Sequence, residues 1–210
     1  TSTDGITWTP FVALPLPSVG HYYDSLGFSL GKFYAGIRRS SGSMANHLYV
    51  SDDNGATWTT IQTITGANRI AIAIAPSNDS TVYALCSKSS DSGLLGVYKS
   101  TNSGNSYVLQ SDSPNILSGS KDGSSAGGQG WYDLCIAASP LNKDEIVTGG
   151  VNVWKSLDGG VNWSLFGHWT GSGGAPFTHA DQHDLEYDAS GTLFNTNDGT
   201  VYKRTGTTWT

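Results

Sequence analysis

The chain has 210 residues and a formal charge of −6, with 13% charged residues and 27 glycines. This charge, with no run of Lys/Arg longer than a pair such as Arg38-Arg39, argues against nucleic acid as a partner, and no apolar run is long enough for membrane insertion. Abundant glycine and the lack of an amphipathic helical period favour an all-β protein.

A turn pattern recurs about every fifty residues along the chain. Residues 51–58 and 156–163 both fit S-x-D-x-G-x-x-W, and residues 100–107 keep the pattern with Asn for Asp and Tyr for Trp. Worn copies occur at 1–8 and 204–209. Asp and Asn cap nearby N–H groups and Gly accepts a positive φ, so each copy predicts a hairpin tip covered by its aromatic residue. A period of this length indicates a repeat array.

Alternating apolar runs predict the strands around these turns. A leading strand is predicted at 9–14. The remaining strands are predicted, in chain order, at 23–29, 32–36 and 47–50; 69–75, 81–85 and 96–99; 132–139, 145–149 and 152–155; and 183–190, 192–196 and 200–203. With the strand that each aromatic begins, every repeat supplies four strands, which is one propeller blade.

We therefore predict one all-β domain over 1–210, built from about four β-propeller blades of four antiparallel strands. The repeats run approximately over 9–58, 59–107, 108–163 and 164–209. Because both chain ends fall inside worn turns, we expect the blades to form an arc of a larger ring; a closed four-bladed ring is the alternative. Cys86 and Cys135 lie among apolar residues, which favours buried free thiols over a disulfide.

The turn pattern resembles the Asp-box, or bacterial neuraminidase (BNR) repeat, of sialidases, sortilin-type receptors and xyloglucan-cleaving propeller glycosidases. The final two repeats, with segments 130–134, 149–156, 179–185 and 197–199, are similar to secreted bacterial propellers of the sortilin and glycosidase type. This resemblance implies a large exported protein, at the cell surface or extracellular. It implies fold more than function, because the same hairpin device occurs in enzymes and receptors.

Aligned first strands place charged and aromatic residues at equivalent inner positions, where they would surround the central channel. The predicted ligand-binding residues are Tyr23, Asp24, Arg69, Trp131, Tyr132, Asp133, His183 and Asp184. The alternative is structural: the Asp side chains would bond backbone N–H groups of the adjoining blade or pair with Arg69.

Asp133 and Asp184, on adjacent repeats, are the candidate catalytic pair for glycoside hydrolysis, which needs two separated carboxyl groups. The Asp-box acids Asp53 and Asp158 are instead assigned to turn stabilisation. Sialidase activity is not expected. A sialidase site would need three arginines around the carboxylate of the sugar, and Arg38, Arg39, Arg69 and Arg204 do not fall at matching repeat positions.

His179, Asp181 and His183 would share one face of a strand and are candidate metal ligands, but the set is incomplete. We therefore expect no metal and no cofactor.

The sequence favours a secreted or cell-surface propeller that presents a rigid surface to a glycan or protein ligand. One alternative is a glycoside hydrolase using carboxylates at the channel mouth. Another is a structural part of a larger secreted cargo protein, whose partners would be other domains of the parent chain or the secretion machinery.

Overall fold

The computed structural model describes residues 5–7, 21–39 and 46–210, with the backbone alone for 21–26 and 37–39. These ranges form four antiparallel sheets of four strands each and contain no helix. Sheet 1 comprises β1 (His21–Ser29), β2 (Lys32–Arg39), β3 (Asn46–Ser51) and β4 (Thr59–Ile64). Sheet 2 comprises β5 (Ala67–Ile74), β6 (Val82–Lys88), β7 (Leu94–Ser100) and β8 (Val108–Ser111). Sheet 3 comprises β9 (Cys135–Ala138), β10 (Ile146–Gly149), β11 (Val153–Ser156) and β12 (Ser164–Gly167). Sheet 4 comprises β13 (Gln182–Tyr187), β14 (Leu193–Asn197), β15 (Val201–Thr205) and β16 (Thr208–Trp209).

Each sheet is a simple meander, because its strands pair in chain order. The first strands of successive sheets contact one another, β1 with β5, β5 with β9 and β9 with β13, so they form the inner side of the array. The all-β prediction of four-stranded blades is thus confirmed. The leading strand predicted at 9–14 lies outside the described residues, and the size of the parent ring stays a prediction.

Two of the predicted strands extend beyond the observed ones by three residues at one end, for local reasons. β9 begins at Cys135 instead of 132, because the N–H groups of Tyr132 and Asp133 both donate to the Gln129 carbonyl and close a turn there. β13 ends at Tyr187, since the Asp188 carboxylate accepts the N–H groups of Ser190 and Thr192 in the turn that follows.

The recurrent turns join the third and fourth strands of sheets 1, 2 and 3, as predicted. In the third, Ser156 Oγ accepts from the Gly160 N–H at 2.9 Å and donates to Asp158 Oδ1 at 2.8 Å. The Trp163 indole donates to the Gly160 carbonyl at 3.2 Å and covers the turn. In the first, hydrogen bonds from the Thr57 hydroxyl and N–H help hold the pKa of Asp53 at about 2. The assignment of these acids to turn stabilisation agrees with this geometry.

Apolar side chains between neighbouring sheets form the core. Trp154 is 3% exposed and packs in the cluster between sheets 2 and 3. The turn glycines bring each hairpin tip against the preceding sheet: Gly104, at φ +75°, lies against the Tyr34 ring, and a Cβ on Gly160 would come within 3.0 Å of Val97 Cγ1. Blade-to-blade packing therefore requires these glycines.

Cys86 and Cys135 are both free and buried, as predicted. Among the described residues, no helix has the length and apolarity needed to cross a membrane.

Candidate functional site

The inner strands are irregular at the positions that the sequence singled out. The pairing register shifts between Tyr23 and Ser25 in β1, between Ala67 and Ile70 in β5, and between Gln182 and Asp184 in β13. Each shift is a β-bulge, which turns side chains out of the regular alternation and is frequent beside functional sites. In sheet 3 the equivalent residues precede the strand altogether. The candidate positions thus share a departure from regular pairing.

Trp131 and Tyr132 lie in a turn at the end of the loop 112–134, which joins sheets 2 and 3. The turn is anchored on sheet 2, because the Gly130 N–H donates to the Ser92 carbonyl and the Ser87 hydroxyl donates to the Gly130 carbonyl. The two aromatic rings are 5.5 Å apart and remain 49% and 39% exposed. A fixed backbone therefore presents two large aromatic surfaces to solvent.

Tyr132, His183 and Asp198 form a hydrogen-bonded group across sheets 3 and 4. Asp198 Oδ1 lies 2.6 Å from His183 Nε2 and accepts from the Tyr132 hydroxyl at 3.1 Å. The Tyr132 and His183 rings meet edge to face at 4.9 Å. The hydrogen bond from His183, and then that from Tyr132, hold the pKa of Asp198 below its ordinary value. Together with Trp131, we call these residues the channel-end cluster.

Asp133 lies beneath this cluster and is 0% exposed. Neither of its carboxylate oxygens accepts a hydrogen bond from the described part of the chain. Burial, followed by the charge of Asp181, raises the pKa of Asp133 from 3.8 to about 8, while Arg69 acts in the opposite direction. Arg69 is itself buried, and its Nη1 donates to the Tyr132 carbonyl at 2.9 Å. Asp133 is therefore a buried carboxylic acid that stays protonated at neutral pH.

The other predicted site residues are distributed differently. Asp184 is exposed on β13 and accepts the Leu185 N–H, and the acid whose charge acts on Asp133 is Asp181. The side chains of Tyr23 and Asp24 lie outside the described residues. The catalytic pairing of Asp133 with Asp184 stays a prediction.

The shared strand face expected for His179, Asp181 and His183 is wrong. β13 begins only at Gln182, and Asp181 has a φ of +63°, which breaks the alternation before the strand. Asp181 accepts from the Gln129 amide at 3.0 Å, while His183 bonds Asp198. Across residues 5–7, 21–39 and 46–210, no three His, Cys, Asp or Glu side chains are grouped so that they could hold a metal ion.

Sequence reasoning missed Asp198 and Gln129 as site residues. Asp198 sits in the Asn-Asp-Gly turn between β14 and β15, where the composition indicated only a hairpin. Gln129 connects Asp181 to a surface groove of about 510 Å³, whose wall includes Gly127, Val151 and the 47% exposed Trp169. Only the fold brings these residues, which come from five separate segments of the chain, into one region.

No protein-family model matches the chain, and no curated protein does. Similar solved structures include a GH74 enzyme of Niastella koreensis (TM-score 0.60, 18% identity), with 90% of this chain and 29% of that one covered. YCF48 bound to a D1 peptide has a TM-score of 0.57 at 13% identity, with 98% of this chain and 59% of that one covered. A nidogen/laminin complex has a TM-score of 0.55 at 13% identity, with 87% of this chain and 60% of that one covered. The chain thus spans less than two thirds of the length of each. At such identities the likeness concerns the fold alone, and these neighbours identify the four sheets as β-propeller blades.

Proposed function

We propose that this chain is part of a secreted or cell-surface Asp-box propeller of the sortilin or xyloglucan-glycosidase type, and that its channel-end cluster binds a glycan. The observation that carries the proposal is the cluster itself. Exposed Trp131 and Tyr132 adjoin a carboxylate, Asp198, that is already oriented by Tyr132 and His183.

Carbohydrates present C–H faces that pack on aromatic rings and hydroxyl groups that need acceptors and donors. Trp131 and Tyr132 supply the rings, and Asp198 and His183 supply the polar groups beside them. Below the cluster, buried Gln182 donates to the Val151 and His179 carbonyls at 3.2 and 2.6 Å, which fixes the start of β13. The surface is therefore formed before the ligand arrives, which lowers the entropic cost of binding.

The turn geometry supports the Asp-box assignment. Ser51 and Ser156 each accept a glycine N–H and donate to the Asp two residues later, and Ser100 does the same with Asn102. One hydrogen-bond scheme thus serves three turns of different sequence. Export to the cell surface belongs to the same proposal, through the resemblance to secreted propellers.

The test is a binding titration with xyloglucan oligosaccharides and a panel of plant and host glycans. Trp131→Ala removes the larger ring, and we expect at least a tenfold rise in Kd, which corresponds to about 1.4 kcal/mol. Phe28→Ala is the matched control, because Phe28 is 58% exposed near the other end of β1, away from the cluster. Equal loss of affinity in both variants, or no saturable binding to any glycan, would rule out this site.

A second candidate function is glycoside hydrolysis, which the environment of Asp133 favours: burial raises the pKa of this carboxyl to about 8, as suits a general acid. Its complete burial weighs against it, since no glycosidic oxygen reaches a 0% exposed carboxyl group without rearrangement. New reducing ends released by the parent chain, and lost in both Asp133→Asn and Asp184→Asn, would establish the enzyme. Glycan retention without turnover would establish the binding module.

A further inference from the structure

A second cavity lies between sheets 3 and 4, on the side away from the channel-end cluster. We call it the rim cleft; its volume is about 300 Å³, and its walls include Glu145, Lys155, Phe166, Tyr187, Leu193 and Arg204. This volume is at the lower end of ligand pockets and suits a molecule of about one sugar ring.

The equivalent of the rim cleft is filled in the preceding pair of sheets. Between sheets 2 and 3 the hairpin tip of sheet 3 occupies this position: Gly159 lies beside Lys99 and Tyr83, and Gly160 lies against Val97. Lys155 is the repeat equivalent of Lys99, but the corresponding tip of sheet 4 is a short turn around Gly206. Lys155 and Gly206 therefore face an open cleft.

Arg204 is where sheet 4 departs from the turn pattern. It stands at the repeat position of Ser51, Ser100 and Ser156, whose hydroxyl groups organise the other three turns. The worn turn also lacks the capping Asp, so a guanidinium does not serve that hydrogen-bond scheme. The requirements of a hairpin do not explain an arginine there.

The hydrogen-bonding capacity of Arg204 is largely unused within the described residues. Its guanidinium carbon lies 4.2 Å from the centre of the Phe166 ring and 5.3 Å from that of Trp209, within the range of cation–π contacts. Along its edge, Nη1 reaches the Phe166 carbonyl at a long 3.4 Å, and Nε is buried with no partner. No carboxylate of the described chain forms an ion pair with it. A partly buried cation without an anion is costly, and burial accordingly lowers the pKa of Arg204.

The other charges of the cleft are already matched. Lys155 Nζ lies 2.6 Å from Glu145 Oε1, which also accepts from the Tyr187 hydroxyl at 3.0 Å. The ionisable walls thus carry one positive charge in excess, on Arg204. A planar carboxylate matches the paired N–H groups of a guanidinium edge, which an ammonium cannot reproduce.

We propose that the rim cleft binds a small carboxylate through Arg204, independently of the channel-end cluster. The carboxylate could be carried by a sugar acid or by the C-terminus of a peptide. Tyr187 and Leu193 would provide the wall for the rest of the molecule.

The test is an NMR titration of the labelled chain with glucuronate and with an N-acetylated dipeptide, each beside its uncharged form, the methyl ester or the C-terminal amide. Saturable shifts at the rim cleft that require the free carboxylate support the proposal, and the arm that shows them identifies the source. Shifts that are equal for acid and uncharged form, or no saturation with either acid, overturn it. This comparison uses the unaltered protein, so it does not depend on how a variant folds.

Variants then assign the binding to Arg204. Arg204→Lys keeps the charge but not the paired N–H groups, and we expect the Kd to rise at least tenfold. Arg204→Ser restores the residue of the other turns and should abolish saturable binding. Lys203→Ser is the matched control, because Lys203 is exposed on the opposite face of β15. Trp131→Ala should leave carboxylate binding unchanged, which separates this site from the proposed glycan site. Unchanged affinity in Arg204→Lys and Arg204→Ser would also overturn the assignment.

Discussion

Replacing Asp133 with Asn should change how the stability of the protein depends on pH. The folded state raises the pKa of this carboxyl from 3.8 to about 8, so between these values the folded chain keeps a proton that the unfolded chain releases. Unfolding is then favoured as pH rises, and the effect is complete above pH 8. A shift of about four pH units at about 1.4 kcal/mol each corresponds to roughly 6 kcal/mol in total, of which about 3 kcal/mol falls between pH 5 and pH 7.

The Asp133→Asn variant removes this titration while it keeps the size of the side chain. We expect the free energy of unfolding of the unaltered protein, measured by urea denaturation, to fall between pH 5 and pH 7 by about 3 kcal/mol more than that of the variant. Asp184→Asn is the control, since Asp184 is exposed on β13, and its free energy of unfolding should change with pH as that of the unaltered protein does. If the stability of Asp133→Asn shows the same pH dependence as that of the unaltered protein, the carboxyl group is not held protonated and the argument from its burial fails.

Three further predictions concern the scaffold. Ser156→Ala leaves the Gly160 N–H without its acceptor and should lower the free energy of unfolding by about 1–3 kcal/mol in urea denaturation, whereas Ala at exposed Ser90 should change little. Gly104 and Gly31 both have a positive φ, so replacing either with Ala should cost roughly 1–2 kcal/mol of backbone strain. Only the Cβ of Gly104→Ala would also meet the Tyr34 ring, so this variant should lose more of its free energy of unfolding in urea denaturation. Equal losses in the two variants would contradict the packing role of Gly104. Burial raises the thiol pKa of Cys86 and Cys135, so neither should react with iodoacetamide until the protein unfolds; labelling under native conditions, read by mass spectrometry, would contradict the structure.

The repeat was predictable because each blade must solve the same packing problem. Ser156, Asp158, Gly160 and Trp163 carry their turn chemistry in the sequence itself, and so the hairpin they form could be placed without coordinates. The channel-end cluster could be found only in part. His183 and Tyr132 stood at aligned positions, but Asp198, which joins them, lies in a turn whose composition indicates geometry and not chemistry.

Burial was the main property that the sequence could not supply. Asp133 and Asp184 occupy aligned positions with similar neighbours, yet one is fully buried and the other is exposed. The difference arises because Asp133 precedes its strand, in a turn closed by Gln129, while Asp184 lies within β13. Strand alignment alone places both acids at the same depth.

The connections between sheets differ greatly in length. Residues 65–66 suffice to join sheet 1 to sheet 2, whereas residues 112–134 and 168–181 join the later sheets. Two residues can make the step from an outer strand to the next inner strand, so both later loops are longer than the connection alone needs, and loops of such length are commonly functional. They carry Trp131 and Trp169, both about half exposed, while Trp154 at a repeat position is buried between blades. Packing accounts for Trp154, but it does not account for the exposed aromatic surface of Trp131 and Trp169, which a ligand would explain.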